Sequence, residues 1–256
     1  MRAAASTNRL EQLIGRLDAA FPTGLTGWAR TLRSEAVELQ AQWAVEEKVR
    51  LAETKADDLP RVRLVIEHRR FAKDAAGQQL ATIESTGKEE VILELFENEA
   101  PNTVANFLDL VGRGFYDGTS FHLAIATVMA VGGDPNTKNA DPADDGMGGP
   151  GHVIPAEHQA PKARRLFRGS LAMLPNGPRS AGSQFFFTLS PRRDMHGEVT
   201  VFGRVLKGQE AVDNITRGRT TRNVGVFGRI IPGDLLVSAE ILRKRAHAYP
   251  VKKEKK

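Results

Sequence analysis

The chain reads as a mainly β protein, a closed antiparallel barrel with helices over its open ends, preceded by an α-helical hairpin. Three observations predict this. The apolar period is helical from Asn8 to about Asp57 and switches to two after Pro60. Four later segments alternate as half-buried strands: RVRLVIE, VILELFE, EVTVFGRV and LLVSAEILRK. Only two helical patterns interrupt them, which is the proportion of a barrel with end caps rather than of alternating β and α units.

The N-terminal elements follow from spacing. Leu10, Leu13, Ile14, Leu17 and Phe21 share one helical face, and Asn8 with Glu11 forms a capping box. FPTG breaks this helix, and Leu25, Trp28, Leu32, Ala36, Leu39 and Trp43 form the stripe of a second. A two-helix hairpin is marginal alone, so it is expected to pack on the rest of the protein, on a partner or on a second copy. The expected organisation is a hairpin over 1–58, a linker and strand over 59–89, a barrel over 90–246 and a basic tail over 247–256.

Within the barrel, NTVANFLDLVGRG (Asn102–Gly114) follows a proline, keeps Val104, Phe107, Leu108 and Val111 on one side and ends at glycine. KGQEAVDNITRG (Lys207–Gly218) is a second helix with Ala211, Val212 and Ile215 inward. His68 to Lys88 reads as a loop or hairpin tip. Phe121 to Asp134, FHLAIATVMAVGGD, reads as one strand.

Composition narrows the chemistry. With no cysteine, thiolate nucleophiles, disulfides and iron–sulfur clusters are excluded. No apolar run reaches the ~18 residues of a membrane span, and the first twenty residues lack a signal peptide's apolar segment, so a cytoplasmic protein without membrane association is expected. The 36 basic residues nearly balance 31 acidic ones, and part of the excess lies in VKKEKK, read as a solvated tail; nucleic-acid binding is not expected. GMGGPG (Gly146–Gly151) has the glycine spacing of a dinucleotide loop but neither the strand before it nor the helix after it. DPADDG has the wrong acidic spacing for a calcium loop. The six histidines form no HxH or HxxxH pair, so no metal or other cofactor is expected.

One ordered set of motifs remains: VILELFENEAPNTVANFLDLV, GFYDGTSFH, VGGDP, GMGGPGHVIPAE, RGSLAML, NGPRSAGSQFFFTL and EVTVFGRVLKGQEAVDNI. Over about Glu90 to Arg245 the chain resembles the cyclophilins, a family of peptidyl-prolyl cis-trans isomerases. The resemblance implies an eight-stranded antiparallel barrel capped by two helices, and a cofactor-free reaction on proline-containing segments of client proteins. It also implies a site. Met129, Gln184, Phe186 and Met195 fall at peptide-binding positions, with His122 beside them and Asn176 in the segment that runs along the bound peptide. The family's arginine, its hydrogen-bond donor to the twisting amide, is replaced by Leu123. Val128, Val131 and Val199 stand where the family has a phenylalanine, a glutamine and a histidine, and Pro175 interrupts the peptide-pairing segment. The expected function is a prolyl isomerase assisting protein folding with weakened catalysis; the alternative is a catalytically silent peptide-binding module.

Overall fold

The computed structural model describes residues 27–139, 141, 143–175, 177, 180–215 and 233–254, and five positions before them (12, 15, 16, 19 and 20). The first expected helix and the FPTG break thus lie almost wholly outside the described residues. The chain divides into two units, Met1–Asp58 and Leu59–Lys256.

In the first unit, α1 spans Gly27–Ala56. Its polar side chains pair along the helix one turn apart, with Arg50 Nε donating to Glu46 at 2.7 Å and Gln42 Nε2 to Glu38 at 2.8 Å. The Arg50 guanidinium also lies 4.7 Å from the centre of the Trp43 ring. Among the described residues no helix is long and apolar enough to cross a membrane.

The second unit is built on one antiparallel sheet. Its strands are β1 (Arg61–Lys73), β2 (Gln79–Leu95), β3 (Thr119–Ser120), β4 (Leu123–Ile125), β5 (Met129–Gly132), β6 (Ile154–Pro155), β7 (Ser170–Pro175), β8 (Ser180–Thr188), β9 (Val201–Lys207) and β10 (Leu235–Arg243). The order is β3-β10-β1-β2-β9-β7-β8-β5-β4, with β6 against β8. The two ends of this path, β3 and β4, are separated only by Phe121 and His122, so they are two halves of one bent strand. Counting them as one and setting aside the two-residue β6 gives the eight strands of a curled barrel. The segment expected as a loop or hairpin tip, His68 to Lys88, is the far part of the β1–β2 hairpin, which pairs as far as Lys73 with Gln79.

Alternation puts Val62 and Leu64 of β1 opposite Leu93 and Val91 of β2 on the inward face, with Ile66 buried beside them. The interior is aromatic. Phe107 on α2 (Pro101–Gly112) meets Tyr116, Phe185 and Phe202 with ring centres 5.1–5.8 Å apart. Tyr116 is fully buried and donates its hydroxyl to the Ser183 carbonyl, while burial pushes its phenol upward. α2 starts at a proline, as expected, but its N-terminal cap comes from far along the chain. The Glu157 carboxylate accepts from the backbone N–H of Asn102 and Thr103 and from the Thr103 hydroxyl, at 3.1, 2.8 and 2.6 Å. The helix expected over 207–218 is a short α3 (Gln209–Asp213), entered through Gly208 at φ 81°; residues 216–218 lie outside the described residues.

Two expectations need correction. Phe121–Asp134 is not a single strand. The chain reverses after Ile125, where Val128 N–H donates to the Ile125 carbonyl at 2.9 Å and Thr127 sits at φ 63°. The turn carries no glycine or proline, and a β-branched residue occupies a left-handed conformation it disfavours. The C-terminal tail is not a free solvated segment either. Lys252 N–H donates to Asn102, and Glu254 exchanges backbone hydrogen bonds with Val153. His247 and Tyr249 stack at 4.5 Å and both bond the Glu97 carboxylate.

Candidate peptide-binding site

Beside the main core, a second apolar cluster forms on the β4–β5–β8–β7 part of the barrel. Its buried members include Leu59, Phe96, Val131, Leu166, Phe186 and Val199, and the partly exposed Leu123, Met129, Leu174 and Met195 pack against them. β-Pairing sets the order: Leu123 faces Val131, Val131 faces Phe186, and Phe186 faces Ala172. Leu123, Val131 and Phe186 are thus consecutive neighbours across three strands. The outcome is a shallow apolar strip with Phe186 as its buried floor and the two methionines and Leu123 at its surface.

Met129 and Met195 therefore lie on the strip, whereas Phe186 is fully buried beneath it. Gln184, expected as a direct peptide contact, uses its amide otherwise. Its Nε2 donates to the carbonyls of Gly146 and Gly148, at 3.0 and 2.9 Å, clamping the GMGGPG loop against β8. Its Oε1 is buried without a partner. Asn176 lies outside the described residues. His122 is buried, its Nδ1 has no hydrogen-bond partner, and burial pushes its imidazole below the ordinary value against the opposing pull of Asp134. A neutral ring cannot stand in for a permanent guanidinium charge. Leu123 is flanked by apolar side chains, so the position carries no donor.

A cleft opens at the end of the strip nearest Gln184, lined by Gly146, Met147, Gly148, Leu174, Pro175 and Gln184 among others. Its loop is tied to Asp134, whose carboxylate accepts from Gly146 N–H and, at 2.8 Å, from Asn136 N–H. A side chain at Gly148 would run into Asp134 Oδ1, 2.1 Å from where its Cβ would lie, so only glycine fits there. Asp145 is held well above the carboxylate range, at about 6, by burial and then by Asp134, Asp144 and Asp141. Among the described residues no group of three histidine or carboxylate side chains is placed to hold a metal ion.

Sequence reasoning missed the clamp role of Gln184 and the Asp134 anchor. Both act on backbone groups 12 to 38 positions away, and a residue type alone does not reveal such partners.

An eight-stranded barrel, an end-capping helix and an apolar strip over β4, β5 and β8 define a class, and the comparisons identify it. The family described as cyclophilin type peptidyl-prolyl cis-trans isomerase matches residues 80–238. Peptidyl-prolyl cis-trans isomerase B of Bacillus subtilis is 38% identical over 136 residues, 53% of this chain and 89% of its own length. A peptidyl-prolyl cis-trans isomerase of Helicobacter pylori is 38% identical over 154 residues, 59% of this chain and 89% of its own. A crystal structure of a Cryptosporidium parvum cyclophilin type isomerase superposes with a TM-score of 0.52 at 25% identity, covering 75% of this chain and 99% of that one. A second, determined in the presence of the dipeptide Ala-Pro, gives 0.50 at 25% identity, covering 70% and 98%. The chain belongs to the cyclophilin-type peptidyl-prolyl cis-trans isomerase family. Prolyl isomerisation is the reaction of that family.

Proposed function

We propose that this protein isomerises Xaa-Pro bonds in segments of client proteins, assisting their folding in the cytoplasm, with turnover well below that of relatives that keep the arginine. The chemistry needs no bond broken. It needs the amide to twist over a barrier of ~18–20 kcal/mol, so the site must bind the twisted form better than either planar form. The strip of Met129, Met195 and Leu123 over Phe186 gives the proline ring an apolar seat. That a Cryptosporidium parvum relative was crystallised in the presence of the dipeptide Ala-Pro supports a proline-containing ligand.

The observation that carries the weakened turnover is Leu123, opposite Val131 and within the apolar cluster. As the amide twists, its nitrogen becomes pyramidal and accepts a hydrogen bond, and nothing at position 123 donates one. By analogy with oxyanion-hole deletions, losing such a donor lowers the rate by ~10²–10³. A protease-coupled assay on a short Ala-Pro peptide should therefore show faster cis-to-trans exchange than buffer, at a rate below the arginine-bearing relatives by about that factor. A rate equal to buffer at micromolar protein would instead leave the silent binding module, the reading favoured by the same leucine.

A further inference from the structure

The apolar strip is not electrically uniform along its length. The part of β8 from Gln184 to its end at Thr188 spans about 13 Å at the rise of an extended strand. The Gln184 end is carboxylate-rich. Asp144 and Asp145 immediately precede the cleft-lining Gly146, and Asp141 and Asp134 stand in the same loop system. Lys138 is the single base between residues 134 and 148, and it donates to the Phe115 carbonyl.

The other end is basic. Thr188 bonds the Phe167 carbonyl, and Gly169 N–H donates to the Thr188 carbonyl, so segment 166–169 lies at that end of β8. Arg192 N–H donates to the Leu166 carbonyl at 3.1 Å, which brings Arg192, Arg193 and Met195 alongside. The segment PKARRLFR (161–168) holds four bases and no acid; Arg164 lies 3.7 Å from Glu99 and Arg168 is paired with Asp213, so Lys162 and Arg165 carry its net charge, and Asp194, paired with Arg192, is the single acid between 161 and 195. Lys162 and Arg165 are exposed.

We infer that this groove selects extended proline-containing segments that carry a cation on one side of the proline and a carboxylate on the other, in one chain direction. The inference deepens the proposed function and depends on its peptide groove. The occupant is a partner's extended segment, because two opposite charge fields at the ends of one apolar strip complement a dipolar peptide. A uniformly charged surface or a polyanion would meet repulsion at one end. Burial first, and then the neighbouring Asp134, Asp144 and Asp141, raise the Asp145 carboxyl, and a peptide cation at this end would relieve the part that comes from crowding.

The test is a chemical-shift titration of the full chain with three blocked heptapeptides: Lys-Ala-Ala-Pro-Phe-Ala-Glu, Glu-Ala-Ala-Pro-Phe-Ala-Lys, and the neutral form with glutamine at both ends. One charged peptide should bind about three- to tenfold more tightly than the neutral one, and its reverse more weakly, as two rim charge pairs provide. The difference should collapse in 0.5 M salt, where screening lengths fall to a few ångströms. The exposed pair K162E/R165E should abolish the discrimination while leaving affinity for the neutral peptide unchanged. If the neutral peptide binds and both charged ones match it, charge selection is refuted and the peptide groove stands. If none of the three binds, the groove itself is refuted.

Discussion

Replacing Leu123 by arginine returns a guanidinium to the strand that faces the proline seat, and the structure fixes what it would meet. Leu123 lies directly opposite Val131, with Met129 and Met195 packed on the same cluster. The arginine stem can lie along the methionines with its head toward solvent, so the loss of leucine burial costs about 1 kcal/mol of stability. Its head, however, finds no polar neighbour at 131, since valine cannot hold it. The single variant should therefore recover only part of the missing donor, roughly tenfold in kcat/KM. Adding Val131→Gln places an amide oxygen across the strand pair from the guanidinium. The double variant should approach the full ~10²-fold, or about 2.7 kcal/mol of transition-state stabilisation. The assay is protease-coupled cis-to-trans exchange, with circular dichroism to confirm that both variants are folded. If a folded double variant is no faster than the parent, the missing donor is not what limits the rate, and the reasoning from Leu123 is refuted.

Three further outcomes are expected. Thr127→Gly should raise the melting temperature, because it relieves a left-handed threonine worth about 1 kcal/mol, less what glycine loses in the unfolded chain; a fall would show that the turn is not strained. Glu157→Ala removes the acceptor of two backbone N–H groups and the Thr103 hydroxyl, and should cost about 1–2 kcal/mol in urea unfolding, whereas a neutral result would assign the cap to water. Asp145→Asn should stabilise the protein at pH 7 and leave it unchanged near pH 3. The folded carboxyl titrates at about 6, above its unfolded value, so the stability that comes with its proton is present in acid and lost as pH rises through 6. With the group only partly buried, the gain at pH 7 should be about 1 kcal/mol after screening, and equal shifts at both pH values would contradict it.

Some elements were legible from the sequence because the physics that forms them is local. Alternation in RVRLVIE and LLVSAEILRK marks β1 and β10, and the proline-to-glycine frame of 101–114 marks α2. The reversal at Thr127 was hidden because apolar residues continue through it and no glycine or proline punctuates it. The cap from Glu157, the clamp from Gln184 and the anchoring of the tail on Glu97 join residues tens to more than a hundred positions apart, so no window along the chain contains both partners. At the site, Leu123 stood out only against a family pattern. Its flanking by Val131 over Phe186, which turns a missing donor into a continuous apolar strip, emerged only from strand register.

The ends of the sheet path meet across Phe121 and His122, and this has a mechanical consequence. Elsewhere around the ring, neighbouring strands are joined by ladders of hydrogen bonds that could in principle slide by two residues and re-form. At this seam the join is covalent, and its length cannot change. A single residue inserted between Ser120 and Leu123 would turn every side chain beyond it over, carrying position 123 from the outer strip to the interior. The seam works as a ratchet stop on the whole ring, and the residue that defines the site sits one step past it.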